Sequence, residues 1–237
     1  MVPDVLVDTP TLVPAIDVRP DDRDVVCGGT LERWAEEGAE ARVLICTNGD
    51  KGITVSTGDP KLFAERGARE AREAAWIIGL PGQNLDGHLD REMLDDTDVQ
   101  GELVTAVRRV CPEVVRCPDS TVVFFSENHS NHRDHRVVGS AALDAVSCPA
   151  ALSHHFPEAG PAPQVETVSL LGTVKPTLWV DATWILESKL AAVACHASLF
   201  PDAGQWALRA LSLRAEEDGC HVVAPSAEGF RRLRLGG

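Results

Sequence analysis

Two polar clusters in the chain carry residue types that can perform hydrolysis. Asp21 and Asp22 are adjacent in an Arg-Pro-Asp-Asp segment, and His132 and His135 enclose Asp134 in a His-Arg-Asp-His segment. One carboxylate and one imidazole can bind a divalent cation, while a second carboxylate acts as general base for the attacking water. A remaining histidine can protonate the leaving group or stabilise an oxyanion. The two clusters together therefore indicate metal-assisted hydrolysis.

Each cluster follows a predicted strand, which is where α/β sheets place their active sites. A strand at residues 11–18 precedes the acidic pair, and a buried apolar strand at residues 121–126 precedes the histidines. Taken singly, an Asp-Asp pair is also typical of a turn or a helix cap, and a His-rich loop of a polar surface. The occurrence of both clusters after strands favours a functional site.

Apolar strand patterns alternate with helical patterns along the chain, which indicates βαβ units around a mainly parallel sheet. Gly28 and Gly29 are predicted to open the first helix, and Gly79 to end the second. No linker-like stretch divides the chain, so one α/β domain over residues 1–237 is expected. Further strands are predicted at residues 42–47, 113–117 and 177–181, and helices at residues 31–40, 61–78, 99–110, 136–146 and 182–199.

The composition excludes several classes of function. The 237 residues carry 22 Lys and Arg against 36 Asp and Glu, a formal net charge of −14. This acidity argues against nucleic-acid binding and against attraction to an anionic membrane, and no apolar run approaches the roughly 18 residues of a membrane span. The seven scattered cysteines form no Cys-x-x-Cys pair, and the N-terminus lacks the basic region of a signal peptide. A cytoplasmic protein with reduced thiols is expected.

The first cluster belongs to a longer pattern. Residues 19–31, Arg-Pro-Asp-Asp-Arg-Asp-Val-Val-Cys-Gly-Gly-Thr-Leu, resemble the N-terminal motif of the PIG-L/LmbE-type N-deacetylases, which reads His-Pro-Asp-Asp-Glu, four residues, then Gly-Gly-Thr-Leu. Residues 132–139, His-Arg-Asp-His-Arg-Val-Val-Gly, resemble the family's His-Pro-Asp-His-Arg-x-x-Gly. Shorter matches follow the family order at residues 47–52, 70–79, 107–115, 189–198 and 227–230. An ordered series over residues 12–231 is more specific than any one motif.

The resemblance implies a Rossmann-like three-layer α/β fold with one zinc-type site. It implies removal of an acyl group, usually acetyl, from a small N-acylated amine or amino sugar. By position, Asp21 is implied as the general base, and Asp22 and His135 as metal ligands. His132 is implied as the acid or oxyanion-stabilising histidine, and Asp134 as the residue that orients an imidazole. No motif indicates an oligomeric state.

The chain departs from the family at the first metal ligand, because the expected histidine is Arg19. Arginine stays protonated and has no lone pair to offer, so it cannot ligate a cation, and its charge repels one. Zinc, or another divalent metal, is thus expected from the family but loses one of its three ligands here. The glutamate after the acidic pair is likewise replaced by Arg23, and the family's substrate-binding arginine falls on Gly67.

Three interpretations follow from this departure. In the first, Asp17, Glu127 or His129 completes the metal site, and the protein remains a metal-dependent deacetylase. In the second, the metal is gone and Arg19 takes the place of the cation, beside Asp22 or an anionic substrate, so that the retained Asp and His set performs acid–base chemistry of another kind. In the third, catalysis is lost and the domain binds a ligand or a partner protein.

Overall fold

The computed structural model describes residues 4–5, 9–52, 58–80, 84–127, 129–147, 152–200 and 204–235, so that Cys148 lies outside the described residues. Ten strands and six α-helices occur in this part of the chain. The strands are β1 (Asp4–Val5), β2 (Leu12–Asp17), β3 (Glu40–Thr47), β4 (Asn84–His88), β5 (Val114–Pro118), β6 (Phe124–Ser126), β7 (His129–Ser130), β8 (Thr167–Leu171), β9 (Leu178–Asp181) and β10 (Ala227–Arg234). The helices are α1 (Asp22–Glu36), α2 (Pro60–Ile77), α3 (Thr97–Val110), α4 (Arg133–Val146), α5 (Leu186–Ala194) and α6 (Gln205–Val222).

Eight of the strands form one sheet in the order β1-β9-β10-β8-β5-β2-β3-β4. All neighbours are parallel except β10, which pairs antiparallel with both β8 and β9. The predicted mainly parallel α/β sheet is therefore confirmed. The order of the strands reverses at β2, which has β3 on one side and β5 on the other. A crevice opens at the carboxyl ends of such central strands, and this is where α/β folds bind ligands.

The core consists of two apolar layers, one on each face of the sheet. Helices α3 and α4 supply one layer with residues such as Leu103 and Val138, and α1 and α2 supply the other with residues such as Leu31 and Ala74. Each helix must lie along the sheet to bury its apolar face, and this packing fixes the positions at which α1 and α4 begin. Both helices start at the same edge of the sheet, where the polar clusters lie.

Gly28 and Gly29 lie inside the first helix, so the prediction that they open it was wrong. The helix begins at Asp22, and the two glycines allow a close approach from β10. The Glu228 carboxylate accepts hydrogen bonds from the backbone amides of Gly29 (3.2 Å) and Thr30 (2.7 Å) and contacts the Lys189 ammonium group at 2.5 Å. A Cβ on Gly29 would lie 3.2 Å from that carboxylate, which explains the small residue.

The strand predicted at residues 121–126 was also wrong in extent and environment. Only Phe124–Ser126 is extended, all three residues are exposed, and the strand pairs with β7 in a separate hairpin outside the main sheet. The apolar run Val-Val-Phe-Phe resembles a buried strand in composition alone. The helix predicted at residues 182–199 is shorter, Leu186–Ala194, and β4, β8, α6 and β10 were not predicted. None of the described helices is long and apolar enough to cross a membrane.

Candidate active site at the sheet crevice

The turn after β2 holds the acidic pair in a fixed conformation. The Asp22 side chain folds back so that its Oδ2 accepts the backbone amide of Arg19 at 2.8 Å, and the Asp22 amide in turn donates to the Arg19 carbonyl at 3.2 Å. Pro20 restricts the backbone between them because its ring fixes φ. The segment thus turns sharply from the sheet into α1, and Asp21 and Asp22 lie at the helix N-terminus, where negative charge is favourable.

The histidine cluster occupies the start of α4. His132 is the residue before the helix, and Asp134 and His135 lie in its first turn. Asn131 anchors the approach, because its backbone amide donates to the Val123 carbonyl and its side-chain amide to the Val122 carbonyl, both at 2.8 Å. These bonds fix the end of the β6–β7 hairpin and so set the direction in which the helix begins.

The two clusters meet across the crevice. The Nε2 atom of His135 lies 3.0 Å from Oδ2 of Asp22. The Arg19 guanidinium reaches both carboxylates of the pair, with Nη2 at 3.3 Å from Asp21 Oδ2 and 3.5 Å from Asp22 Oδ1. The rings of His132 and His135 are 6.1 Å apart and nearly perpendicular. Residues more than 100 positions apart in the chain therefore form one polar constellation.

The pKa values of the two carboxylates in this cluster are shifted in opposite directions. Burial raises the pKa of Asp22, but the charges of His135 and Arg19 outweigh burial and leave that pKa well below its usual value. Burial lowers the pKa of His135, and the Asp22 carboxylate reverses this so that the pKa is raised. Asp22 and His135 therefore behave as an ion pair. Burial raises the pKa of Asp21 despite the opposing Arg19 charge, so Asp21 holds a proton more readily than an ordinary aspartate.

Arg19 and His132 respond to the same surroundings in opposite senses. The Asp21 charge is the largest cause that raises the pKa of Arg19, so the guanidinium remains charged. Burial lowers the pKa of His132, and the charges of Arg19 and Arg91 lower it further. At neutral pH His132 is thus a neutral imidazole, which has one nitrogen that donates a hydrogen bond and one that accepts.

Asp90 is a residue of the site that sequence reasoning missed. It lies two residues after β4, where its amide donates to Asp50 Oδ1 at 2.9 Å and its carbonyl accepts Lys51 Nζ at 2.8 Å. Its position beyond the end of a strand is the signal that could have found it, but the short glycine-containing β4 was not recognised. The next residue, Arg91, donates its amide to Asp134 Oδ2. Ligand atoms of Asp90, His132 and Asp134 all lie within 4.8 Å of one another, a grouping that could hold a metal ion.

The zinc site implied by the family motif does not fit the residues present. A three-ligand site at this position would use Asp22, His135 and the side chain at position 19, but Arg19 offers only protonated donors. Its guanidinium is directed at the same carboxylates that a cation would need. Asp22 already has His135 and Arg19 as partners, so protein groups balance its negative charge without a metal. These residues therefore offer no complete set of ligands for a metal at this position.

The three residues considered as replacement ligands lie in different surroundings. Asp17 ends β2 in the protein interior, 1% exposed, where burial raises the pKa of its carboxyl group to about 8. Glu127 and His129 are exposed on the β6–β7 hairpin, where His129 contacts the Phe125 ring at 5.5 Å between centroids. The Asp22 charge adds to the raised pKa of Asp17, but the described hydrogen bonds and ion pairs bring none of the three residues to Asp22 or His135.

Arg23, which replaces the family's glutamate, forms a buried ion pair with its neighbour. Its Nε lies 2.9 Å from Asp24 Oδ1, and Asp24 Oδ2 lies 2.8 Å from Nε2 of His196. The side chains of all three residues are fully buried. This cluster ties the first turn of α1, next to the acidic pair, to the segment after α5, and the charge of His196 acts on Asp21.

Comparison with known proteins identifies relatives of the whole arrangement. Residues 19–146 match the family model described as PIG-L, GlcNAc-PI de-N-acetylase, which is more than half of the chain and includes both polar clusters. The diacetylchitobiose deacetylase of Thermococcus kodakarensis is 30% identical over 190 residues, which are 79% of this chain and 69% of the relative. A 1D-myo-inositol 2-acetamido-2-deoxy-alpha-D-glucopyranoside deacetylase of Saccharopolyspora erythraea is 28% identical over 170 residues, 61% of this chain and 59% of the relative.

The fold agrees with the sequence comparison. The structure of the N,N'-diacetylchitobiose deacetylase of Pyrococcus horikoshii superposes with a TM-score of 0.86 at 27% identity, covering 95% of this chain and 84% of the other. The similarity therefore extends beyond the motifs to the order and packing of the elements that position them. On the combined evidence of motifs, fold and relatives, the chain belongs to the PIG-L family of GlcNAc-PI de-N-acetylases.

Proposed function

We propose that the protein hydrolyses the N-acyl amide, usually an N-acetyl group, of an amino sugar or a related amine. The observation that carries the proposal is the position of Asp21. Its carboxylate lies at the crevice beside the Arg19 guanidinium, and its Oδ1 has no hydrogen-bond partner among the described residues. A carboxylate oxygen without a partner, in a group whose pKa is raised by burial, is suited to receive a proton from an attacking water.

The first step is attack of water on the amide carbonyl carbon. Asp21 takes one proton of the water as the new C–O bond forms, and the carbonyl oxygen becomes an oxyanion. Arg19 supplies positive charge in the same crevice, and neutral His132 can donate a hydrogen bond from one ring nitrogen. Fixed donors of this kind stabilise the developing negative charge more than they stabilise the substrate, which is what lowers the barrier.

The second step breaks the amide bond. The tetrahedral intermediate re-forms its carbonyl group, the C–N bond breaks, and the proton held by Asp21 passes to the leaving nitrogen. The products are a carboxylic acid, acetic acid for an N-acetyl group, and the free amine. At neutral pH the acid loses its proton to the amine or to solvent and leaves as acetate, so all atoms and charges are accounted for. We propose that Asp134, at the start of α4, helps to position His132, two residues before it, by fixing the Arg91 backbone through its Oδ2.

The relatives support the class of substrate. Two are diacetylchitobiose deacetylases and one acts on a 2-acetamido-2-deoxyglucopyranoside. All three names describe an N-acetylglucosamine unit joined through its anomeric carbon, and we propose that this chain accepts a glycoside of that type. We also propose that a single deacetylase domain spans residues 1–237. The described cysteines are free thiols, which supports the cytoplasm as its location.

The test is release of acetate from N,N'-diacetylchitobiose by the purified protein. The Asp21→Asn variant keeps the shape of the side chain but cannot take a proton, so we expect its kcat to fall at least about 100-fold. Glu65→Gln, on the exposed part of α2, is the matched control and should retain wild-type activity. Equal activity of Asp21→Asn and the wild type would refute the assignment of the base. Absence of acetate release from a panel of N-acetylglucosaminides would refute the proposed function.

A further inference from the structure

We infer that the chain binds a divalent transition-metal cation at Asp90, His132 and Asp134, a position different from the one implied by the family motif. The inference concerns binding alone and holds independently of the proposed hydrolysis. The crevice contains two groups of potential ligands, Asp22 with His135 and Asp90 with His132 and Asp134. At one group the carboxylate oxygens have close partners, whereas at the other most ligand atoms have no hydrogen bond from the described residues, of which the nearest cation to Asp90 is Arg91 Nε at 4.0 Å.

At the family position the ligand atoms are satisfied by protein groups. Asp22 Oδ2 accepts the Arg19 amide and contacts His135 Nε2, and Asp22 Oδ1 lies 3.5 Å from the Arg19 guanidinium. A cation placed there would have to displace these contacts and lie against a permanent positive charge. It would also have only two protein ligands, where zinc sites in proteins commonly use three or four.

At the second group the donor atoms are buried and unpartnered. Asp90 and Asp134 are both 0% exposed. Both carboxylate oxygens of Asp90, Oδ1 of Asp134 and Nδ1 of His132 find no hydrogen-bond partner among the described residues. Unpaired buried carboxylates are strongly disfavoured, because burial removes the water that would stabilise their charge. Two buried carboxylates and an imidazole, whose ligand atoms lie together without hydrogen bonds in the described part of the chain, point to a cation that satisfies them.

Hydrogen bonds of the surrounding backbone hold the second group in place, although four of its side-chain ligand atoms accept or donate no hydrogen bond within the described structure. Asp50 and Lys51 fix the Asp90 main chain, and the amide of Arg91 fixes one oxygen of Asp134. Arg91 adopts a left-handed conformation, with φ of 66°, that turns the chain away directly after Asp90. Such positioning of ligands by surrounding hydrogen bonds is typical of metal sites.

The distances and charges of the group suit a small divalent ion. The ligand atoms lie within 4.8 Å of one another, so movements of these side chains can bring all three to the bonding distance of about 2.1 Å around one ion. Two carboxylates and an imidazole are a donor set that zinc and manganese accept. The crevice contains four carboxylates, of Asp21, Asp22, Asp90 and Asp134. Asp90 and Asp134 are both fully buried, so a cation between them would offset negative charge that water does not reach.

Such a cation is compatible with the roles proposed above. Imidazole has two ring nitrogens, and ligation through one leaves the N–H of the other free to donate to an oxyanion. The cation would also add positive charge to the crevice that Asp21 and Arg19 line. This catalytic consequence rests on the proposed amide hydrolysis, whereas the binding does not.

The test measures metal binding directly, by titration of the metal-depleted full-length chain with Co²⁺ and Zn²⁺. Binding is followed by calorimetry and by the visible absorption of Co²⁺, which reports a protein-bound ion without reference to activity. We expect one ion per chain, and affinity at least about 100-fold weaker in Asp90→Asn. Because the Asp90 carboxylate accepts no hydrogen bond from the described residues, this variant should fold, as circular dichroism can verify.

Asp22→Asn is the matched control at the family position and should retain the affinity of the wild type within about three-fold. Loss of binding in Asp90→Asn with retention in Asp22→Asn supports the inference. Loss in Asp22→Asn alone, equal loss in both variants, or absence of stoichiometric binding by the wild type overturns it. Failure of the proposed function is detected separately, as metal binding without release of acetate.

Discussion

His135 Nε2 and Asp22 Oδ2 lie 3.0 Å apart, a direct contact between the two residues that the family motif assigns to a shared metal ion. The contact joins the N-terminus of α1 to that of α4 across the crevice. Arg19 contacts the other oxygen of Asp22, so the positive charges of Arg19 and His135 balance the negative charge of the acidic pair. A positive side chain at position 19 therefore does more than delete a ligand, because it supplies the charge that the acidic pair would otherwise lack.

This contact predicts a measurable coupling in stability. Asp22→Ala removes the carboxylate partner of His135 and one of the two carboxylates at Arg19. We expect the free energy of unfolding to fall by about 2–3 kcal/mol, since the largely buried His135 is left unpaired. His135→Gln alone should cost about 1 kcal/mol, and the double variant should lose less than the sum of the two. Denaturant unfolding of the four proteins measures the coupling. Strictly additive losses would show that the contact contributes nothing.

The sequence predicts the class of fold and the two clusters of the site, because alternating strands and helices and the adjacent Asp and His residues are local patterns. It also predicts that Arg19 removes a ligand, since the chemistry of arginine does not depend on its surroundings. The contact of Arg19 with both Asp21 and Asp22 depends on the turn geometry at Pro20, which the residue types leave open.

Other features are set by tertiary contacts and escape local patterns. Gly28 and Gly29 resemble a helix start until the approach of Glu228 is known. The run at residues 121–126 has the composition of a core strand, but the Asn131 bonds fold it into an exposed hairpin. No local pattern identifies Asp90 as a site residue. It lies near His132 and Asp134 because the sheet order places β4 at an edge next to β3.

Arg19→Lys is expected to reduce kcat for release of acetate by about 100-fold to 1000-fold, with little change in KM. Lysine keeps the charge but lacks the planar fork of the guanidinium, so it cannot contact Asp21 and Asp22 together. Loss of one oxyanion-stabilising donor has effects of this size in other hydrolases. Arg42→Lys, a control at an exposed ion pair on β3, should have no effect. A large rise in KM at constant kcat would instead assign Arg19 to substrate binding.

Arg19→His is expected to restore a metal site at the family position. The substitution removes the fixed charge and adds an imidazole beside Asp22 and His135, which gives three ligands. The measurement is best made in the Asp90→Asn background, so that the second group of ligands cannot contribute. The double variant should bind one Zn²⁺ per chain, whereas Asp90→Asn alone and Arg19→Lys with Asp90→Asn should bind none. Equal zinc content in the three proteins would contradict Arg19 as the block.

Asp17 should make the protein less stable as pH rises. Its pKa is about 8 in the folded state against 3.8 for an ordinary aspartate, so between these values the folded state binds the extra proton. The free energy of unfolding must then fall from about pH 4 to pH 8. Asp17→Asn removes this titration, and we expect it to be more stable than the wild type by roughly 1–3 kcal/mol at pH 8 and equal to it near pH 4. Parallel stability curves for the two proteins would contradict this.

Gly139 lets α4 lie directly on the end of β5, and Gly139→Ala should be strongly destabilising. A Cβ at this position would clash with the Pro118 carbonyl oxygen and lie 3.1 Å from the Ser120 amide nitrogen, both of which are backbone atoms that cannot rotate away. We expect a loss of about 2–4 kcal/mol and a shift of His132 and His135 with the helix, so that kcat falls as well. Gly67→Ala is the matched control. A Cβ there meets nothing within 4 Å, and alanine favours the helix, so α2 should gain about 0.5–1 kcal/mol. Thermal unfolding of both variants checks the pair, and equal effects on stability would show that the α4–β5 approach is not tight.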